Sequence, residues 1–532
     1  MLDPSDSSSQ GSFYDPEYVC DHLIPSDSFY RRFRDIVSPL TTDDLFAEMY
    51  CPDNGRPPIA PALLARATLL QYHRNLSDRE MERACMYDIE VKFALGLRLD
   101  ERPFDHSSLG DFRRRLLAHQ KEKEVFDRIL QELVDRKLIG REEVQRIDAT
   151  HVIADIALPT MTVLVKKGIR GVLTALPKRH PRVYQKLGKQ IPMKEYAHRR
   201  VDHEVDGRLD MEAKQRKLVE VVDDARTVLR HTETLMADPA LVEQVVLLKR
   251  ILREHVTEDG DGPPREKERK EKPPDLIVSP VDPDARFGAK SKTKKFTGYK
   301  ANITETVASR FITSVQATRG NVRDGAVTVE SVADQREHGI VPQKLIGDTA
   351  YSDGAYRKEL KQHGTKLVAP MRTRNKITQA VFPKRMFDYD AERNTLTCPA
   401  GVTIAQSFHD YGKNIKMFHY PQTACGPCDL RDRCTKAKEK RRVVGIGPAH
   451  QELRDAEIYN RTEAFRDDMK LRQAIEGKLS EMKRYHGLTR ARYRGLKKVS
   501  LQCYFTAVAV NIKRWFKLEG LRAHSPPQSA PT

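Results

Sequence analysis

The chain has 532 residues, 39% of them hydrophobic and 32% charged, with a formal charge of +18 and an isoelectric point near 9.4. That length implies two or three domains, and the basic balance implies a polyanionic partner, nucleic acid before an anionic membrane surface. No apolar run reaches the roughly 18 residues of a membrane span, and the start, MLDPSDSSSQGSFYDPE, has neither the basic nor the apolar region expected of a signal peptide. Eight cysteines in so long a chain do not describe a disulfide scaffold, so a reducing cytoplasm is the expected home.

Residues 1–28, Ser- and Asp-rich at their start, are expected to be a disordered tail. From Phe29 to about residue 140 the pattern is helical. PALLARATLL opens with Pro61 at a first-turn position. Ser77 and Glu80 form a capping box for a helix over SDREMERACMYDIEVKFALG. DHSS, from Asp105, precedes a further helix, LGDFRRRLLAHQKEKEVFDRIL. Short helices with a basic final segment suit a DNA-binding module, and equally a helical domain that only packs.

VQRIDATHVIA, Val144–Ala154, is short and β-branched and predicts a strand. Asp148 in its middle is costly unless paired or metal-bound. Asp155 would face the opposite side, whereas Thr150 shares the face of Asp148. Residues 159–295 read as a basic, helical insertion that includes the charged linker GDGPPREKERKEKPP. It could track phosphates, although a charge run is more often a wet surface.

TGYKANITETV and SRFITSVQAT predict an antiparallel hairpin, GNVRDG a turn, and AVTVESVADQREHG a helix. KLIG then runs into Asp348, an acid at the C-terminal end of a short strand, where ligands gather in α/β sheets. Asp353 sits where the next helix needs an N-cap and is assigned that role. KLVAPM is a further strand. Residues 376–450 form a turn-rich insertion that collects Cys398, Cys425, Cys428 and Cys434. The Cys-x2-Cys pair, the nearby Cys434 and the hairpin-like FDYDAERNTLTCPAGVTI predict one tetrahedral Zn²⁺ in a zinc-ribbon-like subdomain. His419 is an alternative ligand, and four reduced cysteines without metal are the plain alternative. Cys20, Cys51, Cys85 and Cys503 are isolated and expected to be packed.

The rest of the chain serves the stretch from Tyr459 to Gln502. Its first half predicts one amphipathic helix with Leu471, Ile475, Leu479 and Met482 on the apolar stripe. At about 100° per residue, Glu476 falls roughly 40° and Lys483 roughly 20° from Arg472, so two cations and a carboxylate share a strip beside the core. An exposed Arg472–Glu476 pair is the ordinary alternative. The basic segment that follows offers Arg490, Arg492, Arg494, Lys497 and Lys498 as DNA contacts. VSLQCYFTAVAVNIKRWFKLEG predicts a buried helix carrying Trp515, and residues 519–532 a disordered tail.

Strand, hairpin, helix, strand and helix, with acids at Asp148, Asp348 and Glu476, predict an α/β core of the RNase H-like kind with a mixed sheet over residues 141–518. Three converging carboxylates repel one another without a cation, which implies two Mg²⁺ or Mn²⁺ ions. Two ions about 3.5–4 Å apart serve phosphodiester chemistry.

Taken together, these motifs resemble the DDE transposases of bacterial insertion sequences, closest to the eleven-eighty-two group, from about Phe29 to Phe516. The resemblance rests on SDREMERA, DHSSLGDFRRRL, IDAT around Asp148, GYKA at 298–301, GNVRDG, GDTAYSDG around Asp348, RARYRGLKKVSLQ, and the spacing Arg472-x3-Glu476-x6-Lys483. The family's signature has a Tyr three residues before that Arg; here the position is Met469. The resemblance implies transposition: water cuts one strand at each element end, and the freed 3′-hydroxyl attacks target DNA without a covalent protein–DNA intermediate. Asp148, Asp348 and Glu476 would hold the ions, and Arg472 and Lys483 would position phosphates or the Glu476 helix. It also implies double-stranded DNA (element ends and target) as partner, a homodimer on DNA, no membrane, and a bacterial cytoplasmic, nucleoid-associated location. Two other classes fit the same residues: a decayed or repurposed transposase that only binds DNA, and a metal-dependent nuclease without strand transfer.

Overall fold

The computed structural model describes residues 13–50, 59–197, 210–235, 237–257, 262–291, 293–372 and 381–523. A mixed sheet of six strands organises them: β1 (Gln145–Ile153), β2 (Arg286–Ala289), β3 (Lys295–Thr306), β4 (Ile312–Arg319), β5 (Lys344–Ile346) and β6 (Lys366–Val368). β1 is central. β3 lies antiparallel on one side of it, with Asp148 opposite Ile303, and β2 and β4 share the far edge of β3. On its other side β5 runs parallel, and β6 runs parallel to β5.

The period-2 alternation of β1 divides its two faces. Ile147 joins a core with Val332, Leu345, Tyr351 and Leu360, under the helices Thr328–Arg336 and Gly354–Gln362. Arg146 and Asp148 instead reach the C-terminal end of the helix Glu463–Gln473. The helix Leu496–Ala523 covers β3 and β4. There the Asn511 amide pairs with edge strand β4, donating to the Ile312 carbonyl and accepting its N–H, both at 2.8 Å. The same helix packs on the N-terminal helices, so Leu69, Phe112, Leu130, Ile303, Val315 and Trp515 belong to one continuous core. The insertion buries a second core, built on Val165, Ile169, Val221, Val245 and Leu248 from the helices Met161–Arg179, Met211–Thr232 and Pro239–His255.

Several elements differ from expectation. Residues 16–23, assigned to a disordered tail, form two short helical turns, and Cys20 and Ile24 are buried against Phe93. The last helix extends to Ala523, inside the expected C-terminal tail. The helix expected over residues 77–96 breaks at Asp88, whose carboxylate accepts from the Glu90 and Val91 amides and so starts a new helix. The one after it breaks between Ala118 and Glu124. The insertion read as helical ends in a strand, β2. Asp353 caps the Gly354–Gln362 helix as expected, accepting from the Ala355 amide. Cys51 lies outside the described residues.

Candidate active site

Two acids meet just past the parallel β1–β5 ladder, Asp148 within β1 and Asp348 beyond the end of β5. The β1–β5 ladder pairs Gln145 with Leu345 and Arg146 with Ile346. Carried on by two residues, that register sets Asp148 beside Asp348. Asp348 turns there because its carboxylate caps the short turn Thr349–Tyr351, accepting from the Ala350 amide at 2.7 Å.

Asp148 is largely buried, and burial pushes its carboxyl up to about 6. Arg472 and the Ala149 amide oppose that rise, while Asp348 and Asp324 reinforce it. Arg472 donates to Asp148 at 2.8 Å through Nη2, and its Nε has no partner. Asp324 is an acid that sequence reasoning left inside the GNVRDG turn. Lys300 of GYKA holds it at 2.6 Å and also donates to the Val322 carbonyl. Tyr351, likewise passed over, is fully buried with an unpartnered hydroxyl. Burial first, then Asp148, Asp324 and Asp348, hold that phenol well above its ordinary range. The signal available for both was their place inside the motifs that carry Asp148's partners, GNVRDG and GDTAYSDG.

The helix carrying the remaining candidates is not continuous. Glu463–Gln473 and Ile475–Arg484 meet at Ala474 (φ −68°, ψ −10°), a jog within right-handed backbone. Ile475, Leu479 and Met482 are buried, but Leu471, expected on the same stripe, is exposed. The jog changes the pairing. Arg472 reaches Asp148 and not Glu476, so the simple i,i+4 pair is not formed. Glu476 is exposed and makes no ion pair among the described residues. Lys483 is half-buried, its ammonium pushed down by burial and Lys290.

In the basic segment, Arg490, Arg494, Lys497 and Lys498 are exposed. Arg492 is committed inward: it donates to the Leu76 carbonyl and to Asn75, and lies 4.6 Å from the centre of the Tyr72 ring. Around the cysteines, Cys398, Cys425, Cys428 and Cys434 all line one small cavity of about 30 Å³ with Tyr420 and Arg442. Burial and the other three thiols raise Cys434. His419 is not in that lining; its ring meets Phe408 edge-on. Among the described residues, the one group of three metal-ligating side chains whose ligand atoms all lie within 4.8 Å is Glu82, Asp105 and His106. That group is a helix start, where Asp105 caps the helix and Glu82 bonds the His106 ring.

Fold and site define a mixed α/β protein in which Asp148, within the central strand β1, is neighboured by Asp348 just past the parallel strand β5 and is held by Arg472 from a helix end. Residues 397–516 match the family described as "Transposase DDE domain", and residues 18–115 match "Transposase domain (DUF772)". The two matches indicate a DDE transposase of an insertion sequence, a DNA-cleaving and strand-transferring enzyme. Searches of curated proteins and of solved structures find no match. No helix among the described residues is long and apolar enough to cross a membrane.

Proposed function

We propose that Asp148, Asp348 and Glu476 are the acids of this transposase, on an RNase H-like core, and that they hold two Mg²⁺ or Mn²⁺ ions. The observation that carries the reading is the β1–β5 register, which sets Asp148 beside Asp348. The strand order supports it: an antiparallel β4–β3–β1 unit continued by parallel β5 and β6. The donor set fits a hard cation, being all carboxylate oxygen, and at Asp148 the anions Asp348 and Asp324 add to the rise that burial imposes. When bound, such ions polarise the scissile phosphodiester and lower the pKa of the attacking water.

The chain's own residues do the rest. Arg472 opposes, through its bond to Asp148, the rise that burial imposes on that carboxyl before substrate arrives. Lys300 fixes Asp324 behind the pair. Glu476, exposed on the jog, is drawn in beside the other two acids on DNA. Lys483 contacts phosphate or steadies the Glu476 helix. Exposed Arg490, Arg494, Lys497 and Lys498 neutralise duplex phosphates, whereas Arg492 anchors the segment. The helices of residues 29–140 add DNA contacts, and two copies bring two ends together. Cys398, Cys425, Cys428 and Cys434 hold one structural Zn²⁺, supported by their shared cavity and by the tight Cys398–Gly401 turn.

The test is cleavage of a duplex carrying the element's own end in Mg²⁺, by wild type, Asp148→Asn and Glu476→Gln. Both variants should keep DNA binding and lose cutting and joining. A Glu476→Gln enzyme that cuts like wild type would remove Glu476 from the acid set.

A further inference from the structure

The helical insertion leaves a cleft against the sheet. Its walls are the helices Met161–Arg179 and Met211–Thr232 on one side, and β2, β3 and the GNVRDG turn on the other; the cleft volume is about 1330 Å³. Seven lysines and arginines line it against a single acid, Glu266. Glu266 is already paired with Lys272 at 2.6 Å, and Lys300 with Asp324. Lys214, Arg269, Lys295 and Arg323 make no ion pair among the described residues. A convex charge run would be a solvated face. Here the uncompensated cations converge on a concavity, where their fields add.

The cleft has a second ingredient. Leu158, Met211 and Phe287 line it and are exposed, Phe287 by 47%. Cations to follow phosphates, with an exposed ring to stack bases, make a surface for single-stranded nucleic acid. Its size agrees: pockets of about 300–1,000 Å³ enclose one drug-sized molecule, so this one admits a few nucleotides of one strand and not a double helix. The cleft also opens onto the acids. Lys300, Val322 and Arg323 are part of its wall, and Lys300 bonds both the Val322 carbonyl and Asp324, which in turn acts on Asp148.

We propose that this cleft holds a short unpaired DNA strand, the nucleotides flanking the phosphate at the acid cluster, after they leave the duplex. That the strand is DNA rests on the transposase reading; that the occupant is single-stranded rests on the cleft.

The test uses the full chain and two fluorescein-labelled probes of arbitrary sequence, a short oligothymidylate and a duplex, followed by anisotropy over a salt series without Mg²⁺. The variants are Phe287→Ala and the triple change Lys214→Ala, Lys295→Ala, Arg323→Ala, at positions that are exposed except for the half-buried Lys214. The triple variant should bind the oligothymidylate about tenfold more weakly, with a salt slope shallower by about 2, since each lost phosphate contact on a single strand removes about 0.7. Its affinity for duplex should change by less than about threefold. Phe287→Ala should weaken the single strand at an unchanged slope. Oligothymidylate carrying 5-iodouracil should photocross-link to the peptide containing Phe287. Equal losses on both probes would show duplex backbone in the cleft and overturn the proposal. So would unchanged single-strand binding, or cross-links only elsewhere. Neither probe requires cleavage. A chain that passes these assays but never cuts its end DNA would sink the acid assignment alone, and one that cuts normally with unchanged single-strand binding would sink the cleft alone.

Discussion

Replacing Arg146 by Met should both destabilise the fold and disable the site, for separable reasons. Arg146 is 2% exposed and Glu305 is wholly buried, and the guanidinium Nε donates to the Glu305 carboxylate at 2.7 Å across β1 and β3. A second arm, Nη1, donates to the Leu471 carbonyl at 2.7 Å, on the last turn of the helix that ends just before the jog. Removing one member of a buried pair costs about 3–5 kcal/mol, because the other charge is left desolvated. Glu305 retains Arg310 at 3.4 Å and Lys478 at 3.8 Å, so the low end, about 3 kcal/mol, is expected. Urea unfolding followed by Trp515, the only tryptophan and fully buried in the shared core, reads this directly. Adding Glu305→Leu should recover most of the stability, since an apolar replacement of a buried pair is often neutral or better. It should not recover DNA cleavage, because the Leu471 carbonyl stays unanchored and the Arg472–Glu476 segment keeps only the Arg472–Asp148 bond of its two side-chain hydrogen bonds to β1. A single variant within about 1 kcal/mol of wild type would refute the energetic argument. A double variant that cuts normally would refute the positioning argument.

Asn511→Leu should cost about 1–3 kcal/mol for each buried Ile312 group left unpaired, seen as a lower urea midpoint and faster amide exchange along β4. His73 stacks on Phe29 at 3.8 Å, and burial with neighbouring His486 holds its ring down at about 3. A folded-state pKa depressed from 6.5 gives stability that is present above pH 6.5 and lost as pH falls toward 3, at about 1.4 kcal/mol per unit. His73→Phe should therefore flatten the stability profile between pH 6.5 and 4; an unchanged slope would count against a neutral buried ring. Purified protein should carry one zinc per chain by elemental analysis, reduced in Cys428→Ser, with chelation loosening the cysteine subdomain to proteolysis. Metal-free protein of equal protease resistance would return the four thiols to simple packing.

Much of the core could be read from local pattern. The strand around Asp148, the hairpin after Thr297 and the strand into Asp348 stand where β-branched alternation and turn residues put them, because period-2 burial is a local property of the chain. So do the Ser77 capping box, the Asp353 cap and the buried Trp515 helix. The breaks at Asp88 and Ala474 were missed, since continuous apolar spacing does not register a side chain or a packing contact that interrupts a helix. What only the tertiary structure decided is partnership. Arg472 could have paired with Glu476 four residues away, yet it reaches Asp148, 324 residues distant, because the jog and the Arg146 anchor bring that helix end to the strand. Asp324 and Tyr351 stood unremarked inside the GNVRDG and GDTAYSDG motifs until the tertiary structure placed them by the acids. Arg492 looked like its basic neighbours until the N-terminal helices closed over it. Sequence determines which groups are available; long-range packing, which local periodicity does not encode, determines which of them meet.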